Sequence, residues 1–111
     1  MYGFYKDVNE KRDSFGYIKT CKITENTIKF YILDAPHYPI EKPYKKDNSW
    51  FANSSVTKEP IVEFKIIDDK TIEIIWQNGT PVKWVKITDE EYQHIKNNPA
   101  KPEVKPFPKL F

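Results

Sequence analysis

One cysteine and two histidines are the side chains of this 111-residue chain best suited to nucleophilic chemistry. Cys21 and His37 are the candidate nucleophile and base. Such a pair needs a mutual hydrogen bond, a third group that orients the base, and an oxyanion site. Cys21 falls on the apolar side of a strand-like run, where an inert core thiol is expected. We therefore expect no catalytic residues, and a protein that is not an enzyme.

Metal and carboxylate chemistry find equally little support. His94 follows Glu90 by one turn of a predicted helix, but two ligands do not complete a metal site. The acidic pair at 68–69 is typical of a hairpin turn, and the acidic run at 89–91 is favoured at a helix N-terminus. A single cysteine excludes both an intrachain disulfide and a CxxC motif. We expect no metal and no cofactor.

The second half of the chain predicts the elements that would position any site. Apolar and polar residues alternate through 61–67 and again through 71–77, which indicates two half-buried strands around a polar turn. Residues 82–87 form a predicted third strand. Thr88 and Glu91 then have the spacing of a capping box, so a short helix is expected to begin after Thr88.

The first half predicts further strands. Residues 2–5 are expected to form a short edge strand, and residues 15–23 and 27–33 a hairpin, with Phe15 on its apolar face. The fold class that follows is mainly β (β-rich α+β). We expect a small antiparallel curled sheet or open barrel of about five to six strands, with one short C-terminal helix.

Proline placement divides the chain. Residues 1–98 are predicted to be one globular domain, and residues 99–111 an extended tail rich in proline and lysine. Within the domain, residues 34–60 are predicted to be a long loop, because prolines interrupt strand ladders. Long loops in compact domains are usually functional or disordered.

Aromatic residues are abundant, at 15 % of the chain, and several fall in this loop or in the tail. The rings of Trp50 and Phe51, near the middle of the loop, either pack against one end of the sheet or are presented to a partner. Aromatic anchors are enriched at the energetic centres of protein interfaces. The candidate binding residues are Tyr38, Tyr44, Trp50, Phe51, Phe107 and Phe111.

Charge argues against a nucleic-acid partner. The net charge of +2 falls in residues 99–111, where three lysines accompany one glutamate, so residues 1–98 are balanced. Arg12 is the single arginine, whereas duplex readers concentrate arginine and lysine on one face. We expect a protein partner, no nucleic acid and no membrane association. An open sheet edge or the tail also offers a route to a homo-oligomer.

The expected function is therefore that of a non-catalytic protein-binding domain, for example a small inhibitor or immunity-type protein. The alternative is a small apolar-ligand carrier, with the ligand held against Phe64, Trp76 and Trp84 and the long loop as lid. One unpaired cysteine favours a reducing compartment such as the cytoplasm. A cysteine-poor secreted domain would have the same composition.

Overall fold

One antiparallel sheet and one helix make up the computed structural model, which describes residues 1–31, 40–77 and 79–99. The elements, in chain order, are β1 (Gly3–Asp7), β2 (Thr20–Ile23), β3 (Ile28–Tyr31), β4 (Tyr44–Lys46), β5 (Ser49–Asn53), β6 (Pro60–Ile66), β7 (Thr71–Trp76), β8 (Val82–Ile87) and α1 (Asp89–Asn97). The eight strands lie in the order β3-β2-β1-β8-β7-β6-β5-β4. The predicted mainly β class is confirmed, although the expected strand number was too low.

The extra strands explain that difference. β4 and β5 lie inside residues 34–60, where the sequence predicted a loop. They form a hairpin through a tight turn at Asp47, whose φ of 56° is left-handed. Pro43 immediately precedes β4, a position where a missing N–H breaks no ladder. The prolines therefore border the hairpin rather than prevent it.

The N-terminal predictions also need correction. β1 was expected at a sheet edge, but it lies between β2 and β8 near the middle of the sheet. Phe15 was expected on the buried face, but it is 59 % exposed. It belongs to a turn in which Asp13 Oδ1 accepts bonds from the amides of Phe15 and Tyr17. Alternating residue types cannot show which segments form turns of this kind.

The hydrophobic core forms on one side of the sheet, here called the inner face. Its most buried side chains come from the predicted strands and include Phe64 and Ile74, both fully buried. The other buried members of this cluster are Tyr5, Cys21, Ile23, Ile28, Ala52, Val62, Ile72 and Trp84. The burial of Val62, Phe64, Ile72 and Ile74 thus confirms the two predicted half-buried strands, whereas Ile66, at the end of β6, is 52 % exposed.

Aromatic contacts across the inner face curl the sheet into a half-barrel. The ring of Phe30 on β3 lies 5.0 Å from that of Trp76 on β7 and 6.0 Å from that of Trp84 on β8. Tyr2, next to β1, meets Trp50 of β5 edge-on at 5.6 Å. These pairs join strands that are not neighbours in the sheet, so they require curvature.

The opposite side of the sheet, the outer face, carries the helix. Thr88 Oγ1 accepts a bond from the Glu91 amide at 3.1 Å, which confirms the predicted N-cap. The Glu91 carboxylate lies 3.5 Å from Lys6 Nζ. Tyr92 of α1 packs on Phe4 of β1, with ring centroids 4.7 Å apart. The helix therefore covers the β1 region of the outer face.

Candidate binding surface

The β4–β5 hairpin positions two of the predicted binding residues side by side. Tyr44 and Phe51 are directly opposite each other in the antiparallel register. Their rings are stacked, with centroids 6.1 Å apart and an interplanar angle of 28°. Phe51 also pairs with the outward-facing Glu63 of β6, so both side chains lie on the outer face. Both are partly exposed.

A hydrogen bond fixes the orientation of the Tyr44 ring. Its hydroxyl donates to Asn53 Oδ1 at 2.7 Å. Asn53 follows a register shift at the end of β5, where the pairing with β6 becomes irregular. The ring therefore has a defined position without being buried, which lowers the entropy lost when a partner immobilises it. The Asn53 side-chain nitrogen keeps two donors for a ligand.

A shallow groove of about 180 Å³ borders this aromatic pair. Its lining residues are Glu41, Lys42, Tyr44 and Asn53. The Glu41 carboxylate also forms an ion pair with Lys58 Nζ at 2.9 Å. The backbone holds this wall in place, because the Glu41 amide donates to the Asn53 carbonyl at 2.8 Å. We call Tyr44, Phe51, Asn53 and this groove the aromatic surface.

The outer face continues from the aromatic surface across the sheet. Tyr44, Phe51, Glu63 and Ile75 stand opposite one another on β4, β5, β6 and β7. All four are partly exposed. In the part of the chain that the structure describes, α1 is the one helix, and it packs on β1. The aromatic surface thus belongs to a row of side chains that this helix does not cover.

Trp50 does not belong to this surface. It pairs with the fully buried Phe64 and packs against the core on the inner face. Tyr38, Phe107 and Phe111, the other predicted binding residues, lie outside the described residues. The structure therefore brings together Tyr44 and Phe51 and separates both of them from Trp50.

Sequence reasoning missed Asn53 and Glu41, which complete the aromatic surface. Their contribution depends on the register shift after Ala52 and on the single bridge between Ile40 and Ser54. No glycine marks the shift, and bulges without glycine leave no clear trace in residue types.

Those groups considered for catalysis that the structure describes are buried or already engaged. Cys21 is fully buried, and burial raises the pKa of its thiol. His37 lies outside the described residues. His94 is exposed on α1, where its Nδ1 lies 3.2 Å from the side-chain Nδ2 of Asn98. Asp68 accepts the Lys70 amide, and this backbone bond lowers the pKa of the Asp68 carboxyl.

Comparison with known proteins returns no relative: no family model, curated protein or solved structure matches this chain. Over residues 1–31, 40–77 and 79–99, no three His, Cys, Asp or Glu side chains come close enough together to hold a metal ion. No helix within those ranges combines the length and apolar character needed to cross a bilayer.

The residues proposed to hold an apolar ligand pack against other side chains of the inner face. Phe64 is fully buried and Trp84 is 4 % exposed. Phe30 touches both Trp76 and Trp84 from the opposite wall of the half-barrel.

Proposed function

We propose that the chain is a non-catalytic protein-binding domain that contacts its partner through the aromatic surface. The observation that carries this proposal is the stacked, outward-facing Tyr44–Phe51 pair, held by Asn53 beside a groove. Large rings with few rotatable bonds bury much area at low entropic cost, and such residues dominate interface energetics.

The polar groups around the pair are consistent with an interface rim. The Glu41–Lys58 ion pair borders the groove, and Asn53 can donate to a partner's carbonyl group. Protein interfaces commonly surround an aromatic centre with such a polar rim. A small inhibitor or immunity-type protein would work in this way, by covering a site on its target.

A pull-down from an extract of the source cells tests the proposal. The bait is the intact protein, and the matched variants are Tyr44→Ala with Phe51→Ala, and Phe15→Ala. Phe15 is an exposed aromatic residue outside the aromatic surface. The double variant should lose a specific protein that both the intact protein and the Phe15→Ala control retain, with affinity reduced at least about 30-fold. Equal capture by a folded double variant would refute the proposal.

The carrier alternative receives a separate test. Native mass spectrometry of the freshly purified protein would detect a retained apolar molecule as a mass increase that denaturation removes. The packed Phe30, Trp76 and Trp84 rings favour a ligand-free spectrum. A stoichiometric bound molecule would make the carrier function the better explanation.

A further inference from the structure

The other end of the sheet has an edge strand that is open among the described residues. β3 pairs with β2 and with no other described strand. The Thr24 amide donates to the Thr27 carbonyl at 2.8 Å and closes the β2–β3 turn. Hydrogen-bonded and non-hydrogen-bonded pairs alternate along an antiparallel ladder. The backbone N–H and C=O groups of Ile28 and Phe30 therefore point away from β2, toward the free edge.

Two lysines face each other beside this edge. Lys22 on β2 and Lys29 on β3 are direct partners in the register, on the outer face. Like charges placed directly opposite each other destabilise a sheet. On β6, β7 and β8, by contrast, opposite charges face each other on the outer face, since Lys65 faces Glu73, which in turn faces Lys83. The lysine pair therefore differs from this row, in which each charge faces an opposite charge.

A third cation extends the patch. Lys96 of α1 lies with its Nζ 5.5 Å from the Tyr31 ring centroid, at the end of β3. Lys22 Nζ lies 5.4 Å from the Phe4 ring centroid. Neither these two lysines nor Lys29 forms an ion pair with another described residue. We call Lys22, Lys29 and Lys96 the lysine patch.

The charge selects among the partners that an open edge can accept. Pairing of two β3 edges would bring Lys29 side chains of two copies together, and lysine on an edge discourages such self-association. Nucleic acid is disfavoured because the lysine patch contains no arginine, the residue whose planar fork of donors best suits phosphate groups. An acidic extended peptide meets neither obstacle, and its backbone can complete the ladder.

We propose that the edge of β3 accepts an extended acidic segment of a partner protein as an added strand, with Asp or Glu side chains facing the lysine patch. This surface lies at the opposite end of the sheet from β4, so the proposal does not rest on the aromatic surface. Backbone bonds to Ile28 and Phe30 would supply affinity, and the lysines would supply selectivity for acidic sequences.

The first test uses the free protein. Lys29→Glu converts the Lys22–Lys29 repulsion into an attraction and should raise the midpoint temperature of thermal unfolding. Lys65→Glu is the matched control, because it places a carboxylate opposite Glu73 and should lower that temperature. If Lys29→Glu lowers the midpoint as the control does, the lysine pair carries no repulsion and the proposal fails.

The second test measures binding by fluorescence anisotropy. The probes are a labelled peptide of alternating Glu and Val, the same peptide with Lys in place of Glu, and single-stranded oligothymidine. The intact protein should bind the Glu peptide, and Lys29→Glu or about 0.5 M salt should weaken this binding about tenfold or more. Amide exchange at Ile28 and Phe30 should slow in the complex.

Four results of this binding test would overturn the proposal. The first is absence of binding to the Glu peptide, and the second is equal binding of the Glu and Lys peptides. The third is binding of oligothymidine alone, which would assign the lysine patch to nucleic acid. The fourth is slowed amide exchange at β4 instead of β3, which would place the peptide at the opposite edge of the sheet. The first three results do not involve Tyr44 or Phe51, so they would leave the protein-binding function proposed for the aromatic surface unaffected.

Discussion

Trp50 and Phe51 are adjacent in sequence but face opposite sides of the sheet. Trp50 packs against the core and contacts Tyr2, whereas Phe51 stacks on Tyr44 at the outer face. Alternation along a strand makes this separation unavoidable once residues 49–53 form β5. One residue of the pair thus serves stability, and the other is available to a partner.

Separate substitutions should distinguish these roles. Trp50→Ala should lower the free energy of unfolding by about 2 kcal/mol, because it removes a partly buried ring from the core. Phe51→Ala should lower it by less than about 1 kcal/mol, since its ring packs mainly on Tyr44 at the surface. Urea unfolding followed by far-ultraviolet circular dichroism gives both values. An equal loss for the two variants would contradict the assignment of the two faces.

Alkaline pH should destabilise the protein. Burial raises the pKa of the Tyr5 hydroxyl to about 12 and also raises the pKa of the Cys21 thiol. In the unfolded chain these groups lose their protons near pH 10 and about pH 8.5. Between these values and the folded pKa the unfolded state binds fewer protons, so the free energy of unfolding falls as pH rises. The limit is about 1.4 kcal/mol per pH unit for each group.

Cys21→Ala provides the control for that experiment. This variant should lose the decline between about pH 8.5 and pH 9.5, and keep the decline expected above about pH 10 from Tyr5. Urea titrations at several pH values supply the comparison. An unchanged slope in the lower interval would mean that Cys21 does not stay protonated in the folded protein.

The N-cap of α1 offers a local test. Thr88→Ala removes the acceptor for the Glu91 amide and should reduce the free energy of unfolding by about 1 kcal/mol. Thr88→Ser keeps an acceptor oxygen and should cost only a few tenths of this amount. Chemical denaturation resolves the difference. Equal destabilisation by both replacements would assign the effect to the threonine methyl group.

The curl of the sheet depends on Phe30. Phe30→Ala removes the ring that joins β3 to Trp76 and Trp84, so the β2–β3 hairpin should open more readily than the meander. Hydrogen exchange should accelerate at the amides of β2 and β3 and change little in β6 and β7. Uniform acceleration in all four strands would show that β3 unfolds only with the whole domain.

The sequence predicted the meander and helix well, because both have strong local patterns. Strict alternation identified β6 and β7, and the spacing of Thr88 and Glu91 located the start of α1. β4 and β5 escaped prediction because they are short and bordered by prolines. The central position of β1 was also missed, since strand order depends on contacts between distant residues that local periodicity does not encode.

The same limit applies to the aromatic surface. Aromatic content directed attention to Tyr44 and Phe51, but it grouped Trp50 with them because β5 was not recognised as a strand. Asn53 acquires its contact with Tyr44 only through the irregular pairing after Ala52. The sequence therefore indicated which aromatic residues to consider, whereas their arrangement on the two faces depends on the register of β4, β5 and β6.

The pairing of β1 with β8 has a consequence for synthesis on the ribosome. Phe4 pairs with Ile87, so β1 cannot pair with β8 until β8 has been synthesised and has left the exit tunnel. Until then β1 and β7 would both present unsatisfied edges to solvent. Contacts of such high sequence separation slow folding. The nascent chain therefore depends on completion of its last strand for protection against aggregation.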